Sequence, residues 1–271
     1  MSSVLPAELQ SAIEMAHGRL GGFDRIEYFP EVASTNDLAL ARAARGAPHG
    51  TVVVADAQNA GRGRLGRVWH SPPEAGLYLS AVLRAESWEG TLSLVTLAAG
   101  VAVVKGLGAA TGLVPELKWP NDVVVGRPWR KLAGILSETV SAASQVDAVV
   151  VGIGINVRAG AYPPELGHRA TAIEVELGRA VDRWGCAVEV LAALSEAASR
   201  LSKGDRAWVA ADWRSCGAAG LRGSPVRWQD GNQTRFGTAV DIDESGALII
   251  DVAGGRERVI SGEVFWERLN S

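Results

Sequence analysis

Seven consecutive residues, Gly61-Arg62-Gly63-Arg64-Leu65-Gly66-Arg67, constrain this chain more than any other stretch. Guanidiniums alternate with glycines directly after the apolar run Thr51-Val52-Val53-Val54-Ala55. Arginine carries fixed positive charge on a forked donor that matches carboxylate and phosphate. Glycine lets backbone N–H groups come close to an anion and lets a loop change shape. A segment of this kind is suited to wrapping something small and negatively charged.

The composition narrows what that partner is. At 271 residues, 47% of them hydrophobic, the chain can bury a large core, as one large domain or a large and a small one. A net charge of −3 disfavours a bulk nucleic-acid binder. No run of about 18 apolar residues is visible, so no membrane span is expected. The N-terminus shows no secretory signal pattern. Cys186 and Cys216 lack CxxC spacing, and His17, His49, His70 and His168 are scattered, so two reduced thiols in a cytoplasmic protein are expected rather than a zinc site. Positive charge is written almost wholly as arginine. The lysines are Lys105, Lys118, Lys131 and Lys203, and two of them, Lys118 and Lys131, fall in the densest polar motifs.

Hydrophobic spacing predicts helices over 6–20, 38–44, 92–110 and 187–213, the second preceded by a capping segment Ser34-Thr35-Asn36-Asp37. Strands are expected over 26–29, 51–56, 77–83, 117–125, 131–140 and 147–157, with Arg127-Pro128-Trp129-Arg130 as a turn. The continuous apolar interiors of the last two suit central strands. After residue 219 the texture changes to short strands near 225–228, 237–242, 247–252 and 257–260. A catalytic domain over 1–219 and a small β-barrel over 220–271 follow.

By letters, Gly61 to Gly66 is also a GxGxxG match after a strand. A dinucleotide fingerprint needs a helix next, and Arg67 to Gly76 is too short and too rich in proline to supply one. No GxxxxGK[ST] occurs, so a P-loop is excluded. RNA-binding arginine-glycine segments are normally longer and repeated.

Other clusters agree with an anion site. Ser34-Thr35-Asn36 offers hydroxyls and an amide at a helix start, though a plain N-cap would look the same. Gln58 can donate and accept at once. Lys118-Trp119-Pro120-Asn121-Asp122 sets an ammonium, an amide and a carboxylate within five positions, and its proline implies a bulge or an edge. Asn156 ends an apolar strand, either hydrogen-bonded within the protein or facing a ligand.

Together these residues resemble the biotin protein ligases. The matching pieces occur in family order: Ser34-Thr35-Asn36, Gln58 with Gly61 to Trp69, Gly76 to Ser80, Lys118 to Asp122, Lys131 to Glu138 and Gly152 to Val157. The resemblance is strong over 25–160. It implies an α+β fold, a mixed β-sheet with helices packed on one side (class II aminoacyl-tRNA synthetase/biotin ligase-like), plus a C-terminal SH3-like barrel. It implies a two-step reaction with ATP and Mg2+, in which biotin becomes biotinyl-5′-AMP and then passes to a lysine of a biotin carboxyl carrier protein. By resemblance, Ser34, Thr35, Asn36, Gln58, Arg62, Gly63, Arg64 and Lys131 hold biotin. Arg64, Arg67, Trp69, Lys118, Asn121 and Asn156 face the nucleotide. Lys131 and Arg64 are the catalytic cations, and Asp122 receives or orients the incoming amine. No magnesium ligand is named, and many members dimerise through the sheet edge.

Some members also repress transcription through an N-terminal winged helix. Only about thirty residues precede Ser34 here, and no DNA binding is expected. A lipoate–protein ligase or octanoyltransferase is the alternative, against which the full arginine loop and the C-terminal barrel argue.

Overall fold

The computed structural model describes residues 3–142, 145–217, 221 and 223–266. Seven strands form the main sheet: β1 (Arg25–Val32), β2 (Thr51–Gln58), β3 (Gly76–Leu83), β4 (Glu116–Lys118), β5 (Asp122–Val125), β6 (Arg130–Ala142) and β7 (Gln145–Asn156). Their order is β1-β2-β3-β7-β6-β5-β4, with β1 and β2 parallel and every other pairing antiparallel. The sheet is therefore mixed, as expected.

Strand periodicity divides the side chains between two faces. Val52, Val54, Leu77, Leu79, Val151, Ile153 and Ile155 join one large core. That face is covered by α1 (Ala7–Met15), α3 (Val95–Thr111), α5 (Arg183–Ser202) and α6 (Ala207–Cys216). Val53, Ala55, Val82, Ala148 and Val150 point the other way, onto a single helix, α2 (Thr35–Ala44). α2 covers β2, β3 and parts of β6 and β7. Among the described residues no helix covers the rest of that face, and this one-sidedness makes room for a site.

Several boundaries moved for local reasons. The first helix stops at Met15, ahead of Gly18 (φ 83°) and Gly21 (φ 60°). The helix expected over 187–213 is two, broken at Gly204 (φ 74°), and α5 begins early because Asp182 accepts from the N–H groups of Trp184 and Gly185. Residues 158–177, without a prediction of their own, form two short 3-10 turns and α4 (Ile173–Leu177).

The reading that the chain has no long apolar run is corrected. The 20 residues Leu92–Thr111 are long and apolar enough to cross a membrane. In the fold 67% of their apolar window is buried, between the sheet and the helices α5 and α6. A methyl at Gly106 would stand 2.6 Å from the Val190 Cα, so α3 and α5 touch backbone to backbone.

The C-terminal strands β8 (Ser224–Asp230), β9 (Gln233–Ile242), β10 (Leu248–Val252), β11 (Gly255–Val259) and β12 (Val264–Trp266) form an antiparallel sheet in the order β11-β10-β9-β8-β12. The short β12 had no sequence signal. The boundary expected between 219 and 220 lies outside the described residues. The barrel is fastened to the main body at named points. The Trp119 indole donates to the Gly246 carbonyl at 3.0 Å, and Arg214 reaches Asp241 and the Ile242 carbonyl, each at 2.6 Å.

Leu79, 0% exposed on β3, sits in the larger core. Leu79→Ala should lose about 2–5 kcal/mol of stability, through lost burial and the cavity left behind, measured by urea unfolding.

Candidate active site

Glycines on the uncovered face of the sheet leave room for side chains that come from other elements. Gly134 on β6 and Gly152 and Gly154 on β7 carry no Cβ there. A Cβ on Gly154 would stand 2.5 Å from the Trp69 indole, and one on Gly152 2.5 Å from Asn36 Oδ1. A Cβ on Gly134 would stand 3.2 Å from both the Trp69 ring and the Lys131 chain. The indole of Trp69 thus lies directly on strand backbone.

Lys131 reaches this face through a β-bulge. Val124 pairs with Lys131, yet its neighbour Val123 pairs with Ala133, so β6 carries one extra residue. The alternation slips by one, and Lys131 lands on the same face as Gly134. Its Nζ lies 2.6 Å from Asp122 and 5.3 Å above the centre of the Trp69 ring. The backbone of Lys131 is clamped from the other side, donating to the Arg169 carbonyl at 2.8 Å and accepting from the Thr171 N–H at 2.9 Å. The Asn156 amide donates to the Thr171 carbonyl at 2.9 Å and to the Lys131 carbonyl at 3.4 Å. Asn156 is therefore hydrogen-bonded within the protein, tying the 169–171 segment beside the lysine.

The arginine-glycine segment is a folded strap. Gly63 N–H donates to the Arg67 carbonyl at 2.7 Å and Trp69 N–H to the Gly61 carbonyl at 2.9 Å. A Cβ on Gly61 would stand 2.5 Å from the Trp69 carbonyl oxygen, so only glycine fits there. Leu65 turns the tip at φ 56°, a conformation that favours glycine, and its side chain is 68% exposed. Each arginine of the strap is engaged. Arg62 pairs with Asp37 at 2.6 Å and Glu138 at 2.7 Å, and the Glu138 contact holds its guanidinium pKa up. Arg64 reaches Asn121 at 3.1 Å and the Gly262 carbonyl at 3.2 Å, and burial pushes its pKa down. Arg67 pairs with Glu263.

The polar residues at the start of α2 form a second group. Ser34 is the N-cap, its hydroxyl accepting from the Asp37 N–H at 3.3 Å. Gln58 Oε1 accepts from the Thr35 N–H at 2.8 Å and the Thr35 hydroxyl at 3.1 Å, while its Nε2 donates to Ser71 at 2.8 Å. The Asn36 amide donates to Glu138, leaving its Oδ1 buried without a partner.

One cleft of about 1730 Å³ gathers all of these. Every site residue predicted from the sequence lines it: Ser34, Thr35, Asn36, Gln58, Arg62, Gly63, Arg64, Arg67, Trp69, Lys118, Asn121, Asp122, Lys131 and Asn156. Sequence reasoning missed Ser80, Arg169 and the barrel residues Gly262, Glu263 and Phe265, which also line it. Ser80 lay inside a quoted motif without a role, and nothing local in the barrel strands shows which end faces the sheet.

The cleft's charges are Arg62, Arg64, Arg67, Lys118, Arg127, Lys131, Arg169 and Arg227 against Asp122 and Glu263. Such a lining suits a polyanion together with a second, carboxylate-bearing ligand. Among the described residues no group of three His, Cys, Asp or Glu side chains is placed to hold a metal. Both cleft carboxylates are already paired with cations, so the residues do not form a magnesium cage.

A cleft lined mostly by cations, on the bare half of a mixed sheet and bordered by an SH3-like barrel, is shared with a known class of enzyme. The Biotin/lipoate A/B protein ligase family model matches residues 28–156, and the Biotin protein ligase C terminal domain model residues 222–266. The chain is 37% identical to the biotin–[acetyl-CoA-carboxylase] ligase of Mycobacterium tuberculosis, over 96% of this chain and 95% of that protein. It is 35% identical to the bifunctional ligase/repressor BirA of Bacillus spizizenii, over 88% of this chain and 72% of that protein. Its fold matches the biotin protein ligase of Aquifex aeolicus, solved with biotin and ATP, at a TM-score of 0.77 and 32% identity, over 91% of this chain and 100% of that one. The chain belongs to the biotin protein ligase family.

Burial depresses the Lys118 pKa below its ordinary 10.5, with Asp122 opposing the shift and Lys131, Arg169 and Arg67 adding to it. The folded value lies below the unfolded one, so the cost to stability is fully present at low pH and fades as pH rises toward 10.5. Lys118→Met should therefore keep or raise the melting temperature of the ligand-free protein at pH 7, read by calorimetry, with the difference shrinking above about pH 10.

Proposed function

We propose that this chain uses ATP to activate biotin as biotinyl-5′-AMP and passes the biotinyl group to a lysine of a biotin carboxyl carrier protein. The observation that carries this reading is the junction, in one cleft, of a polar head-group pocket and a cationic strap meeting at Lys131. The ureido ring needs both donors and acceptors. The Ser34 hydroxyl serves the ring carbonyl, while the Thr35 oxygen and the unpartnered Asn36 Oδ1 accept from ring N–H groups. The valeryl chain runs along the cleft toward Lys131.

In the first step a biotin carboxylate oxygen bonds to the α-phosphorus of ATP. The bond from that phosphorus to the bridging oxygen breaks, and pyrophosphate leaves. Both reactants are anions, so the chain's task is to bring them together against repulsion and to stabilise charge growing at phosphorus. Lys131 and Arg64 are assigned that task, with Arg67, Lys118 and Asn121 on the nucleotide and Trp69 beneath it. In the second step the carrier's lysine amine attacks the acyl carbon, AMP leaves, and the amine loses a proton. Asp122, freed from Lys131 when the anions bind, orients that amine. Magnesium comes in with the triphosphate, whose charge it offsets. Residues 1–219 carry this chemistry, and the barrel within 220–271 holds Arg64 and Arg67 through Gly262 and Glu263. The reaction is assigned to the cytoplasm, with Cys186 and Cys216 as free thiols.

Mass spectrometry of a biotin carboxyl carrier domain, after incubation with this protein, biotin and MgATP, should show one added biotinyl group on one lysine. An unmodified carrier alongside robust lipoylation of a lipoyl domain would replace this reading. Lys131→Ala should slow biotin-dependent pyrophosphate exchange by about 10²–10³-fold while the protein stays folded.

A further inference from the structure

β3 is buried along its whole length, and amid its apolar residues sits Ser80, 0% exposed. A buried hydroxyl costs stability unless it is bonded, and a serine at the centre of the sheet serves no packing purpose. Ser80 pairs with Val53 on β2 and Gly152 on β7, on the site face of the sheet. Its Oγ lies 2.9 Å from the Thr35 hydroxyl, its hydrogen-bond partner.

The polarity of that contact is fixed by its neighbours. The Thr35 backbone nitrogen, which can only donate, lies 2.8 Å from Gln58 Oε1, so that atom is the amide oxygen. The same oxygen is 3.1 Å from the Thr35 hydroxyl, so the hydroxyl must donate to it. Thr35 has one proton and has spent it. Ser80 is then obliged to donate to Thr35. Gln58 takes the proton, Ser80 holds one lone pair, and Thr35 shows the cleft its remaining lone pair. A ligand meeting that oxygen gains by presenting an N–H and loses by presenting an oxygen.

We propose that Ser80 is a positioning and specificity residue, which locks Thr35 as an acceptor and so selects a head group bearing a ring N–H. This rests on the biotin reading above and deepens it. Without Ser80 the hydroxyl is tied only to Gln58, whose oxygen keeps the Thr35 N–H as partner. One contact of 3.1 Å, to an oxygen that the Thr35 N–H already engages at 2.8 Å, then holds the hydroxyl by itself, and a ligand oxygen can compete for its proton. The lock is separate from the far end of the same chain of bonds, where Gln58 Nε2 donates to Ser71 and Ser71 donates to the Trp69 carbonyl. Ser71 is also buried, at 4% exposure, but its loss leaves the Gln58 oxygen pointed at Thr35 by the backbone N–H.

The test compares calorimetric binding of biotin with that of the two cyclic carbamate analogues in which one ring N–H is replaced by oxygen. The wild-type protein should prefer biotin by at least about tenfold over the analogue lacking the N–H that faces Thr35. In Ser80→Ala that preference should fall to about threefold or less, and Ser80→Cys, close in size but a weak donor, should lie between. Ser71→Ala should keep the wild-type ratio even where both affinities fall. If Ser80→Ala does not fold, the Ser80→Cys ratio is read instead. A wild-type ratio retained in the folded Ser80 variants, or an equal narrowing in Ser71→Ala, would overturn the lock. Failure of the wild-type protein to bind biotin at all would overturn the proposed function with it.

Discussion

The contact of the Trp69 indole with the bare backbone of Gly134 and Gly154 is the one on which the site depends. It seats the stem of the arginine strap on the sheet, and it puts a ring face under the Lys131 ammonium. Each part supports the others. The glycines leave the space, the bulge in β6 turns Lys131 toward it, and Gly61 lets the strap close on its own carbonyl. A side chain at Gly154 would displace the ring, and one at Gly61 would collide with the Trp69 carbonyl oxygen.

Charge is the second constraint. A cluster of this many cations would repel itself if left bare. The ligand-free protein answers with internal anions: Asp37 and Glu138 for Arg62, Glu263 for Arg67, Asp122 for Lys131. These are partly exposed pairs and modest individually. Incoming carboxylate and phosphate groups can therefore replace them by exchange, without first meeting an uncompensated field. Arg64 and Lys118, which have no carboxylate in salt-bridge contact among the described residues and whose pKa values burial lowers, gain from an incoming anion.

Much of this was legible in the sequence, for physical reasons that differ from part to part. The centre of the sheet was readable because β2, β3 and most of β7 bury both faces and so appear as apolar runs, as in Val149 to Ile155. The motif residues were readable because glycine, arginine and amide side chains at fixed spacing are costly to place without a purpose. What stayed hidden needed three dimensions. Nothing local shows that Glu138, on β6, would meet Arg62 from the strap, 76 positions away. Nothing in Gly262-Glu263 shows that a barrel loop reaches the strap. Ser80 looked like filler inside a strand, because its meaning lies wholly in which neighbour it must donate to.

The long apolar helix α3 has a consequence for how the chain is made. Its cover comes from α5, which begins about seventy residues further along, and from α6 beyond that. At ordinary elongation rates of about 5–20 residues per second, several seconds pass between the emergence of α3 and the arrival of its partners. During that interval a greasy twenty-residue segment waits beside the ribosome, indistinguishable by composition from a membrane anchor. Biogenesis, more than the finished fold, is where this architecture is exposed to error.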